Sequence, residues 1–138
     1  MRAKTALTVA ALLVAGAGSS AQDPRTDACV VSIGRGATGV GGATGTMIVR
    51  NAGRACRVVN FTVPETRVPT SRLEVVRAPA QGRLEIIQPN VVAYTPARGY
   101  AGPDEFHYGG SGPGREGQIL PFSVRIQVQV VGPDAPLR

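Results

Sequence analysis

The chain has no tryptophan, one histidine and two cysteines, and aromatic residues make up only 4% of it. Its single lysine, Lys4, stands at the extreme N-terminus. Each shortage excludes something. With His107 alone there is no H-x-x-x-H pattern, and neither C-x-x-C nor G-x-S-x-G occurs. The residue sets of zinc proteases, thioredoxin-like redox proteins and α/β-hydrolases are therefore missing. After the N-terminal segment every apolar run is broken by Gly, Pro or charge within a few residues, far short of the roughly 20 apolar residues of a membrane span. No window beyond that segment shows a capped period of 3.6, so no helix is expected. A basic stripe is lacking too. The net charge is +6, but the arginines are scattered and alternate with acids, as Arg72 with Glu74 and Arg83 with Glu85. That is a mixed solvated face, and it argues against nucleic-acid binding, which needs clustered positive charge.

The N-terminus carries a processing signal. Arg2 and Lys4 precede an apolar run over residues 5–14, and Ser19, Ser20 and Ala21 offer an A-x-A-like cleavage site before Gln22. We read residues 1–21 as a cleaved signal peptide, residues 22–131 as one β domain and residues 132–138 as a flexible C-terminal tail. No membrane insertion is expected after cleavage. A mature chain with arginine but no lysine, rich in alanine and glycine, points to a GC-rich bacterial genome. The expected location is thus periplasmic or secreted. An even cysteine count in an exported chain implies a bridge, Cys29 to Cys56, contributing about 3–4 kcal/mol through loop entropy.

The remainder reads as short strands. Residues 29–33 are rich in β-branched side chains, with Cys29, Val31 and Ile33 on one face. Residues 34–45 hold six glycines and read as a flexible loop. The G-x-G-x-x-G inside it lacks the following helix and the acidic residue of a dinucleotide site, so it reflects composition. Residues 46–50 and 55–63 read as a hairpin turning at Asn51 and Gly53. Pro64 and Pro69 take the chain out of the sheet. Residues 72–76 alternate with Leu73 and Val75 inward. Residues 84–87 and 91–95 flank a turn at Pro89 and Asn90, and a corner over residues 96–103 leads into a run at 105–108. Residues 109–118 read as a second flexible loop. Residues 122–130 alternate cleanly, with Phe122, Val124, Ile126, Val128 and Val130 on one face. A slip of one residue there would bury an arginine and two glutamines, so the register should be firm. About seven short strands in this length suggest an immunoglobulin-like β-sandwich, although the Cys–Trp–Cys signature is absent.

Residues 75–130 carry a spaced pattern: Pro79, Gly82 and Leu84; then Val92, Tyr94, Pro96, Gly99, Tyr100, Gly102, Asp104, Phe106 and Tyr108; then the alternating run. This resembles the bacterial Ig-like and cadherin-like repeats of exported surface proteins. The resemblance implies structural roles. Tyr94, Tyr100, Phe106 and Tyr108 would be core or corner aromatics. Gly99 and Gly102 would permit a tight corner, and Asp104 would cap it. Calcium, as in some cadherin-like proteins, needs six to eight oxygens, and Asp104, Glu105 and Glu116 supply too few.

The remaining chemical candidates are a Glu105–His107 pair on one strand face and Ser111 nearby. Without a third partner they make no reaction centre. No cofactor and no metal are expected. The functional expectation is a non-catalytic exported module that binds or scaffolds at the cell envelope or outside the cell, its partner another protein or a glycan. The alternative is a small secreted inhibitor or ligand-binding protein that uses its Gly-rich loops. The sequon at Asn60 and Thr62 is a weak pattern.

Overall fold

The computed structural model describes residues 29–34 and 42–137. Residues 1–21, read above as a signal peptide, the lead-in to Cys29 and most of the first Gly-rich stretch lie outside these. Ten strands follow in order: β1 Cys29–Ile33, β2 Ala43–Arg50, β3 Cys56–Val59, β4 Phe61–Val63, β5 Val68–Pro69, β6 Arg72–Arg77, β7 Gly82–Gln88, β8 Val91–Pro96, β9 Gly102–Pro113 and β10 Ile119–Val131. The one helical element among the described residues is a 3-10 turn at Pro64–Thr66.

The strands sort into a five-stranded sheet, β1-β2-β10-β9-β6, a three-stranded sheet, β3-β8-β7, and a two-stranded ribbon, β4-β5. All pairs are antiparallel except β2 with β10, which run parallel from Ala43 beside Val124 to Arg50 beside Val131. One core joins the two larger sheets, an arrangement compatible with a β-sandwich. Met47, Val49, Phe106, Tyr108, Ile126 and Val130 face it from the large sheet, and Cys56, Val58, Val92 and Tyr94 from the small one. Aromatics are few, but they are concentrated here. Tyr94 and Phe106 stack at 5.4 Å between ring centroids, and Phe106 and Tyr108 at 6.2 Å. Such pairs add about 0.5–1.5 kcal/mol beyond the area they bury.

The disulfide between Cys29 and Cys56 is formed, with Cα atoms 5.8 Å apart. It links β1 of the large sheet to β3 of the small one and so clamps the two layers together. The alternation of β10 has the expected register, with its valines and Ile126 inward and Arg125, Gln127 and Gln129 in solvent.

Several local expectations are corrected. Residues 46–50 and 55–63 do not form a hairpin: β2 pairs with β1 and β10, whereas β3 pairs with β8 in the other sheet. The glycine and asparagine between them serve an arch from one layer to the other. The run 55–63 is itself broken at Asn60, which is buried and hydrogen-bonded, so β4 leaves to pair with β5. β2 begins at Ala43, inside the stretch read as loop. Residues 109–118 are not one loop, because β9 continues to Pro113. Its glycines serve close approach: a Cβ on Gly110 would lie 2.1 Å from the Arg72 carbonyl, and one on Gly112 would lie 2.1 Å from Thr62 Oγ1. Val75 lies opposite Tyr108 on the core face, yet it remains 39% exposed, because β6 is an edge strand reaching past the cover of the smaller sheet.

Candidate functional site

The strands place their loops at two ends, and the ends differ. At one end meet the close of β2, the start of β3, the β6–β7 turn and the β8–β9 corner. Asp104, near the start of β9, ties this end together. Its carboxylate accepts from the backbone N–H of Ala80 and of Gln81 at 3.1 Å each, from the Tyr94 hydroxyl at 2.6 Å and from its own neighbour Glu105 at 2.9 Å. It therefore holds the β6–β7 turn, which contains Pro79, rather than only its own corner. Gly82 opens β7 from that turn, and Pro96 closes β8. Asn51 does the complementary work on the β8–β9 corner. Its Nδ2 donates to the carbonyls of Ala97 at 2.7 Å and Tyr100 at 2.9 Å, and its backbone N–H donates to Val131. Across the corner the Tyr100 hydroxyl donates to the Pro103 carbonyl. Gly99 and Gly102 hold φ of 76° and 141°, values that side chains rarely adopt. Beyond β10, Arg50 Nε donates to the Ala135 carbonyl at 2.7 Å.

The opposite end is open among the described residues. Between the end of β1, the start of β2, β4 and the β9–β10 turn lies a cavity of about 830 Å³. Ile33, Val59, Phe61, Leu120, Pro121 and Phe122 give it an apolar lining, and Glu65, Arg115, Glu116 and Gln118 stand on its rim. Val59 is 51% exposed. An Arg115–Glu65 ion pair at 3.2 Å spans from the β9–β10 turn to the 3-10 turn. Its volume lies in the range of ligand sites and its lining mixes apolar with polar groups, whereas a depression of similar volume, about 850 Å³, beside Tyr100, Asp104 and Gln129 is lined mostly by polar and small residues. The cause of the groove is the mismatch of the layers: five strands lie over three, and the short β4-β5 ribbon covers only part of the difference.

The wall of this groove rests on Asn60. Its Nδ2 donates to the Val58 carbonyl at 3.1 Å and to the Asn90 carbonyl at 3.4 Å, and its Oδ1 accepts from Tyr108 at 2.6 Å. This side chain is spent on structure, so the sequon has no accessible amide. Burial pushes the Tyr108 hydroxyl above its ordinary pKa, against the opposing pull of the Asn60 bond. Tyr94 is raised as well, by burial first and then by its bond to the Asp104 carboxylate. Thr62 Oγ1, beside Gly112, is buried and has no hydrogen-bond partner among the described residues.

On the outer face of the large sheet Glu105 and His107 do meet. Nε2 of His107 lies 2.9 Å from Glu105 Oε1 and 2.8 Å from Arg125 Nε, with Arg77 3.7 Å from the same carboxylate. The His107 hydrogen bond, helped by Arg125 and Arg77, holds Glu105 below the usual carboxylate range. Ser111 does not join them. It is four residues further along β9, on the order of 13 Å away by strand rise. Among the described residues no group of three or more His, Cys, Asp or Glu could hold a metal ion.

Sequence reasoning missed Val59, Leu120 and Asn60 as parts of one groove. A lone asparagine inside a β-branched run was the available signal, since a buried polar group there must have found partners. No protein-family model and no curated protein matches the chain.

Proposed function

We propose that this chain is a non-catalytic, exported Ig-like module that binds a partner at the cell envelope or outside the cell through the apolar groove at its open end. The observation that carries this reading is the contrast within one molecule between an end whose loops are tied by Asp104 and Asn51 and an end whose apolar surface is exposed. The strand order supports the Ig-like assignment. Taken in chain order, β3, β6, β7, β8, β9 and β10 stand where strands B to G of an Ig domain stand, with B-E-D in one sheet and G-F-C in the other. The intersheet disulfide supports export, since such bridges persist in oxidising compartments. No described helix is long and apolar enough to cross a membrane.

A second reading, a small secreted inhibitor or ligand-binding protein, is favoured by one fact: Gly34 and Gly42, both within the first Gly-rich stretch, line the groove. The same experiment serves both. An apolar fluorescent probe should bind saturably with a stoichiometry of one. Val59→Arg should abolish that binding, while Val76→Arg, at a more exposed valine outside the groove, should leave it intact. Equal loss in both variants, or no saturation, would refute the groove. Export is tested by the intact mass of the protein recovered outside the cytoplasm, which should begin at Gln22.

A further inference from the structure

A sheet edge presents unpaired N–H and C=O groups, and proteins guard such edges with charge, proline or bulges. Three of the four edges in the two larger sheets are guarded here. β6 carries Arg72, Glu74 and Arg77 and bulges between Val75 and Arg77. β7 carries Arg83 and Glu85 and bulges between Ile86 and Gln88. β3 is only four residues long and carries Arg57. β1, the outer strand of the large sheet among the described residues, has none of these. Its sequence is CVVSI, its pairing to β2 is regular throughout, and Val30 is 47% exposed.

The direction of its free groups can be read from one bond. Gly34 N–H donates to the Thr44 carbonyl of β2 at 2.9 Å. Backbone groups alternate along an antiparallel strand, so Ser32 and Val30 also turn toward β2. Cys29, Val31 and Ile33 turn their N–H and C=O outward. We infer that β1 pairs antiparallel with β1 of a second copy of this chain, about a two-fold axis at Val31, to give one continuous sheet across a homodimer.

The occupant is fixed by charge matching and by closure. An uncharged edge has nothing to offer a charged strand, and every other edge of the two larger sheets carries charge. The β1 edge is complementary to itself: Val31 faces Val31, Cys29 faces Ile33, and Val30 faces Ser32 of the second copy. No charge is opposed to apolar surface, and the core-facing side chains of both strands share one face. The assembly also stops at two, because the joined sheet ends in guarded β6 strands on both sides. Addition of so short a strand makes a small interface, so the dimer should be weaker than about 1 μM.

Sedimentation velocity of the oxidised protein over a wide concentration range tests this. We expect a shift from monomer to dimer, with amide protons of Val31 and Ile33 gaining exchange protection as the dimer fills. The double variant Val30→Lys, Ser32→Lys sets like charges opposite each other across the axis and should weaken dimerisation about tenfold. Val30→Lys with Ser32→Glu uses the same positions but sets opposite charges face to face, and it should restore the dimer. Both residues are exposed, so folding is unaffected and the glutamate variant controls for it. A monomer at all concentrations would overturn the inference. So would a dimer indifferent to the lysines, or one that the glutamate does not rescue.

Discussion

The two ends of this molecule are built from the same strands and have opposite characters. At the end tied by Asp104 the polar groups of two loops converge on one carboxylate and one amide, Asn51. At the groove end Asn60 holds Asn90, Thr70 holds Pro89 and Arg115 pairs with Glu65, yet Val59, Leu120 and Phe122 are left partly in water. Polar ties hold both ends, and exposed apolar surface is retained at only one of them. A module that binds through one end benefits from this division, since a rigid far end fixes the strands that position the groove walls.

The largest effect should follow reduction of the Cys29–Cys56 bridge, whose half-cystines lie toward the tied end, opposite Val49 and Tyr94 in their sheets. Urea unfolding should show a loss of about 3–4 kcal/mol. A loss below about 1 kcal/mol would mean that the layers do not need the clamp. Next, Asp104→Ala strands four donors, one of them on the buried Tyr94, and should cost about 3 kcal/mol. If it costs no more than an ordinary surface substitution, the tied end is not tied by this carboxylate.

The pH dependence has a definite sign. Tyr94 and Tyr108 both have folded pKa values raised above the unfolded value of about 10. Their contribution is fully present below pH 10 and is lost as pH climbs toward the raised values. Stability should therefore fall on the alkaline side, and Tyr94→Phe and Tyr108→Phe should each remove part of that fall. At the groove end effects should be small or reversed. Thr62→Val deletes a buried hydroxyl without a partner and should stabilise by about 1 kcal/mol in thermal unfolding. Val59→Arg should alter stability by no more than about 0.5 kcal/mol while removing probe binding, the outcome that most directly separates function from fold at this end.

Much of the fold was legible because it depends on alternation. Phe122 to Val130 announces a buried strand face, and Pro89-Asn90 announces the turn of the β7–β8 hairpin. Two cysteines, an even count in a chain read as exported, sufficed for their pairing. The groove was not legible, because it arises from unequal layers, and the choice of sheet for β2 and β3 is a long-range matter. The local signal at Asn51 and Gly53 is the same for a hairpin and for an arch between sheets. The glycines from 109 to 112 misled for a related reason. Composition shows their lack of side chain, but not that the Arg72 carbonyl and Thr62 occupy the space a side chain would need. Asp104 was read as a local cap since its reach to Ala80 and Gln81 exists only after β6, β7 and β9 have met.

The parallel pairing of β2 with β10 has a consequence for how the polypeptide comes to be folded. β10 is the last strand to leave the ribosome, yet it is the middle of the large sheet, with β2 on one flank and β9 on the other. Until it emerges, the early strands β1 and β2 form at most a lone hairpin, which is marginal in water. Completion of the large sheet must await synthesis of β10, and contacts so distant in sequence make acquisition of structure slow. Until then only the smaller sheet, β3-β8-β7, and the β4-β5 ribbon have all their strands at hand.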